Sequence, residues 1–296
     1  GDDERYEAHQ LARAGWAMLT TSEPLHETRE GFTAGSEELL TFNFLNPVAG
    51  RNIWLQSALE KMQMVSAVEN LAVHWSIGGR ALHFDPDMVG YFGHSQGGIV
   101  GAAFVGVEDR LKGAFLSGAG AGFAPSLIEK TEPVVIADAI RAILNFPADE
   151  PLDRFHPLLS LMQIWVDPAD PVNYGRPWRH RGAARVPHLV ATSGLQDQYT
   201  PKRNHGGLAG AFGLPVVLPV SEQVEVLDLL GVSPAGAEAR GNLSDDEGRP
   251  VTGGLLQYPN DGHFAVFVNP DAQDAYRRFF DTLLDDDGVP VARTLR

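Results

Sequence analysis

Three segments of this chain carry side chains suited to acyl transfer. They are Gly93-His94-Ser95-Gln96-Gly97-Gly98, Gly194-Leu195-Gln196-Asp197-Gln198-Tyr199-Thr200-Pro201, and Pro259-Asn260-Asp261-Gly262-His263-Phe264. A serine hydroxyl is a weak nucleophile at neutral pH and needs an imidazole to take its proton. The imidazole in turn needs a carboxylate that fixes its tautomer and stabilises its cation. Met88-Val89-Gly90-Tyr91-Phe92 reads as a buried apolar strand and the residues after Gly98 as a helix, so Ser95 falls at the tip of a tight strand-to-helix turn. Such a turn brings the backbone on both sides of the serine together, which predicts Gly93 and Gly97 where a Cβ would clash. Gly98 is expected to let the helix lie close to its neighbours. The helix N-terminus beneath the serine offers a positive dipole end, and the N–H of Gln96 is the expected donor to an oxyanion.

Asp197 follows an apolar strand over residues 188–193, at the carboxyl end where parallel sheets place their ligands. Asp167 and Asp170, in Val166-Asp167-Pro168-Ala169-Asp170-Pro171, are alternatives by type, although Asp-Pro pairs commonly mark turns. His263 follows a strand over 254–258, and the glycine before it lets the loop reach back toward the serine. His26 and His205 are further candidates for lining the site. His94, next to the serine on a sharp turn, is expected to point away and pack. The chain has no cysteine and no His-Glu-x-x-His pattern, so neither a thiolate metal site nor a catalytic metal or other cofactor is implied.

Positioning these groups takes a sheet, and the 296 residues, 44% of them apolar, are enough for one large α/β domain or a core with an insertion. Apolar runs alternate with helical patterns, which predicts βαβ units and a parallel sheet. A helix over 6–14 leads into a strand over 16–21, and Asn46-Pro47 opens a helix over 49–73 whose core stripe is Leu55, Leu59, Met62 and Val65. Strands follow over 88–92, 113–117, 188–193 and 254–258, and a helix over 272–284 closes the chain. Between 122 and 186 the alternation breaks into helical stretches over 133–145 and 156–166, read as a cap inserted into the core. Its apolar residues Ile136, Ile140, Ile143, Leu144, Leu158, Leu161, Met162 and Trp165 either line an acyl pocket or pack the cap onto the core. The expected layout is therefore a first core part at 1–121, a helical cap at 122–186 and a second core part at 187–296. Residues 233–251 read as a surface loop.

A formal net charge of −15 argues against nucleic acid and anionic membrane surfaces as partners, and there is no apolar run of 18 residues to span a membrane. A second oxyanion donor ordinarily comes from a loop after an early strand. No such loop precedes the helix over 6–14, and Gly1-Asp2-Asp3 does not look like a native start. The N-terminal strands and that donor are therefore expected before residue 1 or on another chain.

With these residues the chain resembles the α/β-hydrolase superfamily, on Gly93-His94-Ser95-Gln96-Gly97-Gly98, Asp197 and Asp261-Gly262-His263-Phe264. More narrowly it resembles bacterial extracellular lipase/esterase-type hydrolases. That match rests on Phe42-Asn43-Phe44-Leu45-Asn46-Pro47, Asp167-Pro168-Ala169-Asp170-Pro171-Val172-Asn173-Tyr174 and Val251-Thr252-Gly253-Gly254-Leu255. The resemblance covers nearly the whole chain. It implies a mostly parallel sheet flanked by helices and a secreted or envelope-associated serine carboxylester hydrolase, and the apolar cap suggests a small-molecule acyl or aryl ester as substrate. Its site would be Ser95, Asp197 and His263, with no cofactor. An acyltransferase or thioesterase would use the same three residues, and a catalytically silent binding protein of the same fold is the alternative from another class.

Overall fold

A computed structural model describes residues 2–26, 29, 40–43, 45–69, 75–147 and 149–294. Phe44, Ala148 and the end of the expected long helix at 70–73 lie outside them. Helix α1 (Asp2–Arg13) and helix α2 (Pro47–Glu69) come first, followed by a hairpin of β1 (Trp75–Ile77) and β2 (Arg80–Leu82). The nucleophile segment forms β3 (Val89–His94) and α3 (Gln96–Val107), and β4 (Leu111–Ser117) follows. Helices α4 (Phe123–Glu129), α5 (Ile136–Leu144), α6 (Pro157–Val166) and α7 (Gly175–Arg179) separate β4 from β5 (His188–Gly194). Then come α8 (Lys202–Phe212), α9 (Glu225–Leu229), the short pair β6 (Leu243–Ser244) and β7 (Pro250–Val251), β8 (Gly253–Tyr258), α10 (Ala265–Val268) and α11 (Pro270–Leu283).

The central sheet runs in the order β3-β4-β5-β8, and each neighbouring pair is parallel. A parallel sheet is covered on both faces, so its strands read as nearly unbroken apolar runs, and every residue of β5 and β8 is buried. Side-chain alternation splits the core in two. Ala114, Leu116, Leu189 and Leu255 face α3 and α8, while Phe115, Val190 and Leu256 face α11 with its Tyr276, Phe279 and Phe280. This arrangement lines up the carboxyl ends of β3, β5 and β8 on one rim, which is where Ser95, Asp197 and the loop bearing His263 emerge.

Two local expectations change, and a hairpin is added. Residues 16–21 form no ladder, and 17–21 are exposed. Among the described residues, Trp16 is anchored through its amide to Leu11 (3.0 Å) and its indole N–H to the Phe280 carbonyl (3.2 Å). Without a strand beside it an apolar run has no partner for its backbone groups, and β propensity alone does not make a strand. In α2 the buried face is Gly50, Trp54, Ser57, Ala58, Lys61 and Val65, whereas Leu59 is 57% exposed. Small and polar residues thus occupy much of the helical stripe, and Lys61 is tolerated there because it pairs with Glu23. The β1–β2 hairpin turns through Gly78 and Gly79, both at positive φ (58° and 78°), the turn chemistry of a two-residue hairpin.

The segment between β4 and β5 is helical as expected and adds α4 at its start. Leu127, Ile140, Leu152, Leu159 and Met162 form a separate small core within it. The 233–251 region is mostly irregular and carries β6 and β7. Among the described residues no helix is long and apolar enough to cross a membrane.

Candidate active site

Ser95 joins β3 to α3 with φ 53° and ψ −120°, a backbone state that L residues rarely occupy and that surrounding structure must hold. Its N–H donates to the Ser117 carbonyl (2.8 Å), and its own carbonyl accepts from Ile99 N–H (2.9 Å). Gly93 is required, since a Cβ there would stand 2.6 Å from the Gly97 carbonyl oxygen and 2.7 Å from the Tyr91 ring. A Cβ on Gly98 would stand 2.6 Å from that of Ala119, so this glycine sets the close approach of α3. Gly97 corrects the expectation: the nearest atom to its Cβ position is the Tyr91 hydroxyl at 3.8 Å, so no clash forbids a side chain. The turn uses the Gly97 backbone instead, whose carbonyl accepts the Tyr91 O–H at 2.6 Å. Gln96 is the first residue of α3, where a backbone N–H has no intrahelical acceptor.

Asp197 lies in the loop after β5 and is buried. Its Oδ1 accepts the N–H groups of Tyr199 and Thr200, both at 2.8 Å, and its Oδ2 accepts from His263 Nδ1 at 2.8 Å. Two loops meet to make that bond. Gly194 lies so close to the 261–262 backbone that a Cβ would collide with the Gly262 carbonyl, and Gln196 N–H donates to the Asp261 carbonyl at 3.0 Å. Gly118, at φ 55°, leaves room for the imidazole, as a Cβ would sit 3.0 Å from its Cε1 and Nδ1. Tyr199 stacks on the ring at 4.8 Å. With Nδ1–H committed to Asp197, Nε2 carries the lone pair. Among the described residues no hydrogen bond joins Ser95 Oγ to His263, a contact that in unliganded sites often tightens only with substrate.

Burial alone would raise the Asp197 carboxyl. The hydrogen bond from His263 and the His205 ring 3.5 Å away outweigh it and hold the group well below the usual carboxylate range. His94 does not point away from the site. Its ring lies 4.8 Å from that of His263 and 4.6 Å from Phe267, with Nδ1 3.3 Å from Ser117 Oγ. Burial, reinforced by repulsion from His263, lowers its pKa to about 3 and keeps it neutral.

No family model matches the sequence, and no curated protein does. In structure the chain is similar to acetyl xylan esterase 1 from Thermoanaerobacterium sp. JW/SL YS485, with TM-score 0.51 and 12% identity over 95% of this chain and 70% of that one. It also matches an α/β fold family hydrolase from Bacillus anthracis str. Sterne, with TM-score 0.39 and 12% identity over 94% and 87% of the two chains. A third match is an acylaminoacyl peptidase, with TM-score 0.38 and 12% identity over 66% of this chain, which spans only 23% of the peptidase. The parallel sheet, the turn at Ser95 and the first of these likenesses decide the architecture. The chain has the α/β-hydrolase fold.

In this α/β-hydrolase fold a cavity of about 100 Å³ opens at Ser95 and is walled by Phe42, Trp54, Ile99, Phe123 and Tyr199, among others. Lys130 stands at its side, with Nζ 5.1 Å from the Phe42 ring centroid and 5.6 Å from that of Tyr199. Of the eight apolar residues expected to line a pocket or pack a cap, only Ile136 lines this cavity. Ile140 and Met162 are buried in the small helical core with Leu158 packed against it, while Ile143, Leu144, Leu161 and Trp165 are exposed. The pocket is built mainly by residues flanking α2, α3 and α4, which no local pattern marks as neighbours.

The alternative acids have other work. Asp170 accepts the N–H groups of Gly122 (2.9 Å), Phe123 (2.8 Å) and Val172 (3.0 Å) and the Gln163 amide (2.8 Å), and so fixes the start of α4 beside the pocket. Asp167 accepts from the same amide at 2.7 Å. His26 Nδ1 lies 3.0 Å from the Pro24 carbonyl, and the residue does not line the cavity. His205 is fully buried next to Asp197, with Nε2 3.5 Å from Oδ2. Its sequence signal is only its place in the first turn of the helix after the Asp197 loop.

Proposed function

We propose that this chain is a serine hydrolase that cleaves small acyl or aryl esters through an acyl-enzyme. The observation that carries the reading is the buried 2.8 Å hydrogen bond from His263 to Asp197, together with a serine on a strained strand-to-helix turn at the same rim of the sheet. In this mechanism His263 Nε2 takes the Ser95 hydroxyl proton as Oγ attacks the ester carbonyl carbon. The oxyanion accepts a hydrogen bond from Gln96 N–H. Collapse returns the proton to the departing alcohol oxygen, and water repeats the sequence on the acyl-enzyme to release the acid. Asp197 stays ionised and stabilises the imidazolium. The neutral state of His94 spares His263 a second cation at ring-contact distance.

The apolar, aromatic cavity at Ser95 supports an acyl or aryl group as the part of the substrate that is bound, with residues 122–186 acting as the cap. The structural neighbour named an acetyl xylan esterase supports ester chemistry on this fold. Turnover of p-nitrophenyl acetate and butyrate tests the proposal. The chain should hydrolyse them, and Ser95→Ala should lose that activity by at least about 10⁴-fold while melting at the same temperature. Undiminished turnover in the variant would sink the assignment.

A further inference from the structure

Asp197 has two histidines. His263 donates to Oδ2 at 2.8 Å, and His205 Nε2 approaches the same oxygen to 3.5 Å from the first turn of α8. Both side chains are essentially sealed from solvent. His205 Nδ1 lies 2.9 Å from Ser193 Oγ on β5, and among the described residues Nε2 makes no hydrogen bond. The mechanism above makes no use of this residue.

The tautomer of His205 follows from its neighbours. If Nδ1 held the proton and donated it to Ser193, the Nε2 lone pair would face an ionised carboxylate oxygen in a dry site, which is repulsive. If instead Ser193 O–H donates to Nδ1, the proton sits on Nε2 and its N–H dipole faces Asp197. At 3.5 Å this contact is longer than a good hydrogen bond, yet in a low dielectric it still stabilises negative charge.

We propose that His205 is a positioning residue for Asp197: Ser193 locks its tautomer so that it presents an N–H to the carboxylate oxygen that also holds His263. This rests on the assignment of Asp197 and His263 above and adds a device to it. A second donor draws electron density from Oδ2 and so weakens the grip of Asp197 on the His263 cation. Asp197 then stabilises the imidazolium formed during turnover less than a single Asp–His pair would. The His205 ring at 3.5 Å acts in the same direction as the His263 hydrogen bond, both holding the Asp197 carboxyl down against the effect of burial. Other titratable groups facing the cluster are His94 on β3, in ring contact with His263, and Tyr199, stacked on it. Helix α9 packs on α8 through Val226, and its carboxylates Glu225 and Asp228 are exposed.

Two measurements on the full chain test this. The first is NMR of the ¹⁵N-labelled imidazoles at about pH 7.5, with His205 assigned by its loss in His205→Gln. It should show a neutral ring protonated at Nε2, and a ring protonated at Nδ1 alone would overturn the proposal whether or not the chain turns over an ester. The second is the pH profile of ester turnover. His205→Leu should move the acid limb upward by about half a pH unit or more with KM within about 2-fold. His205→Gln, which keeps an N–H at the Nε2 position, should leave the limb within about 0.2 units of wild type. An unmoved limb in a folded His205→Leu, or the same displacement in both variants, would reduce the residue to packing. Should His205→Leu fail to fold, Ser193→Ala decides: it should move the limb in the same direction by less, and an unmoved limb there contradicts the tautomer lock. Failure of the ester-hydrolase reading is separate, since it would appear as activity that survives Ser95→Ala.

Discussion

The rear of the site and its front wall are built on opposite principles. At the rear, Asp197, His205 and His263 are buried, and the loops bearing Asp197 and His263 touch through glycines that leave no room for a Cβ. At the front, the cavity is bounded by side chains from α2, α3 and α4 with Lys130 at its side, and the outer face of α6 leaves Leu161, Ile164 and Trp165 exposed. The rear has a single solution fixed by backbone contacts, whereas the front depends on side-chain shape. Substitutions at the rear should therefore abolish chemistry or folding, and those at the front should change which ester is used.

The largest effect expected is from Asp197→Asn. It keeps the shape but loses the charge and the tautomer control, so kcat should fall by about 10⁴-fold with little change in KM. A fall of under about 10-fold in steady-state assays would remove Asp197 from the mechanism. Gly194→Ala tests the clasp behind the acid. The added Cβ meets the Gly262 carbonyl, a backbone atom that cannot swing aside, and denaturant unfolding should show a loss of about 3 kcal/mol or more. A neutral result would mean the loops do not touch as described.

Acid sensitivity comes next. Burial holds His94 at about 3 and His188 at about 4, both below the free value of 6.5. The unfolded chain therefore takes up these protons first, and their stabilisation of the fold is complete above about pH 6.5 and declines as pH falls. Between about pH 6 and 4 the two together should cost about 2–3 kcal/mol per pH unit. His94→Phe should remove about one proton from that slope in pH-dependent unfolding, and an unchanged slope would mean His94 is not buried neutral. The smallest effects belong to the front. Phe123→Ala should raise KM for aryl esters by about 10-fold while leaving kcat nearly intact, and Leu161→Gln on the exposed face of α6 should stay within about 0.5 kcal/mol in stability. A kcat collapse in Phe123→Ala would erase the contrast between the two regions.

The contrast also accounts for what the sequence could tell. The four sheet strands are legible because each is a short apolar run between turn residues, and those of β5 and β8 are buried throughout. Asp197 and His263 stand out because each follows such a run, and the hydrogen bond joins two residues that position in the chain already singles out. The failures are nonlocal. Residues 16–21 look like a strand but form no ladder, and Leu59 sits at helical spacing while Trp54, Ala58 and Lys61 take the buried face. Gly97 belongs to the motif, yet its Cβ position is open. His205 is legible only as a candidate, by its place in the helix after the Asp197 loop, whereas Gly118 reaches the site through packing between distant elements, which no spacing along the chain encodes.

The central claim is that Ser95 is a nucleophile activated by the His263–Asp197 pair. Its most direct test is exposure of the folded chain to a fluorophosphonate probe, followed by peptide mass mapping of the adduct. The account predicts a single adduct on Ser95, absent in Ser95→Ala and formed far more slowly in Asp197→Asn. A folded chain that takes no label, or carries it on another residue, would contradict it.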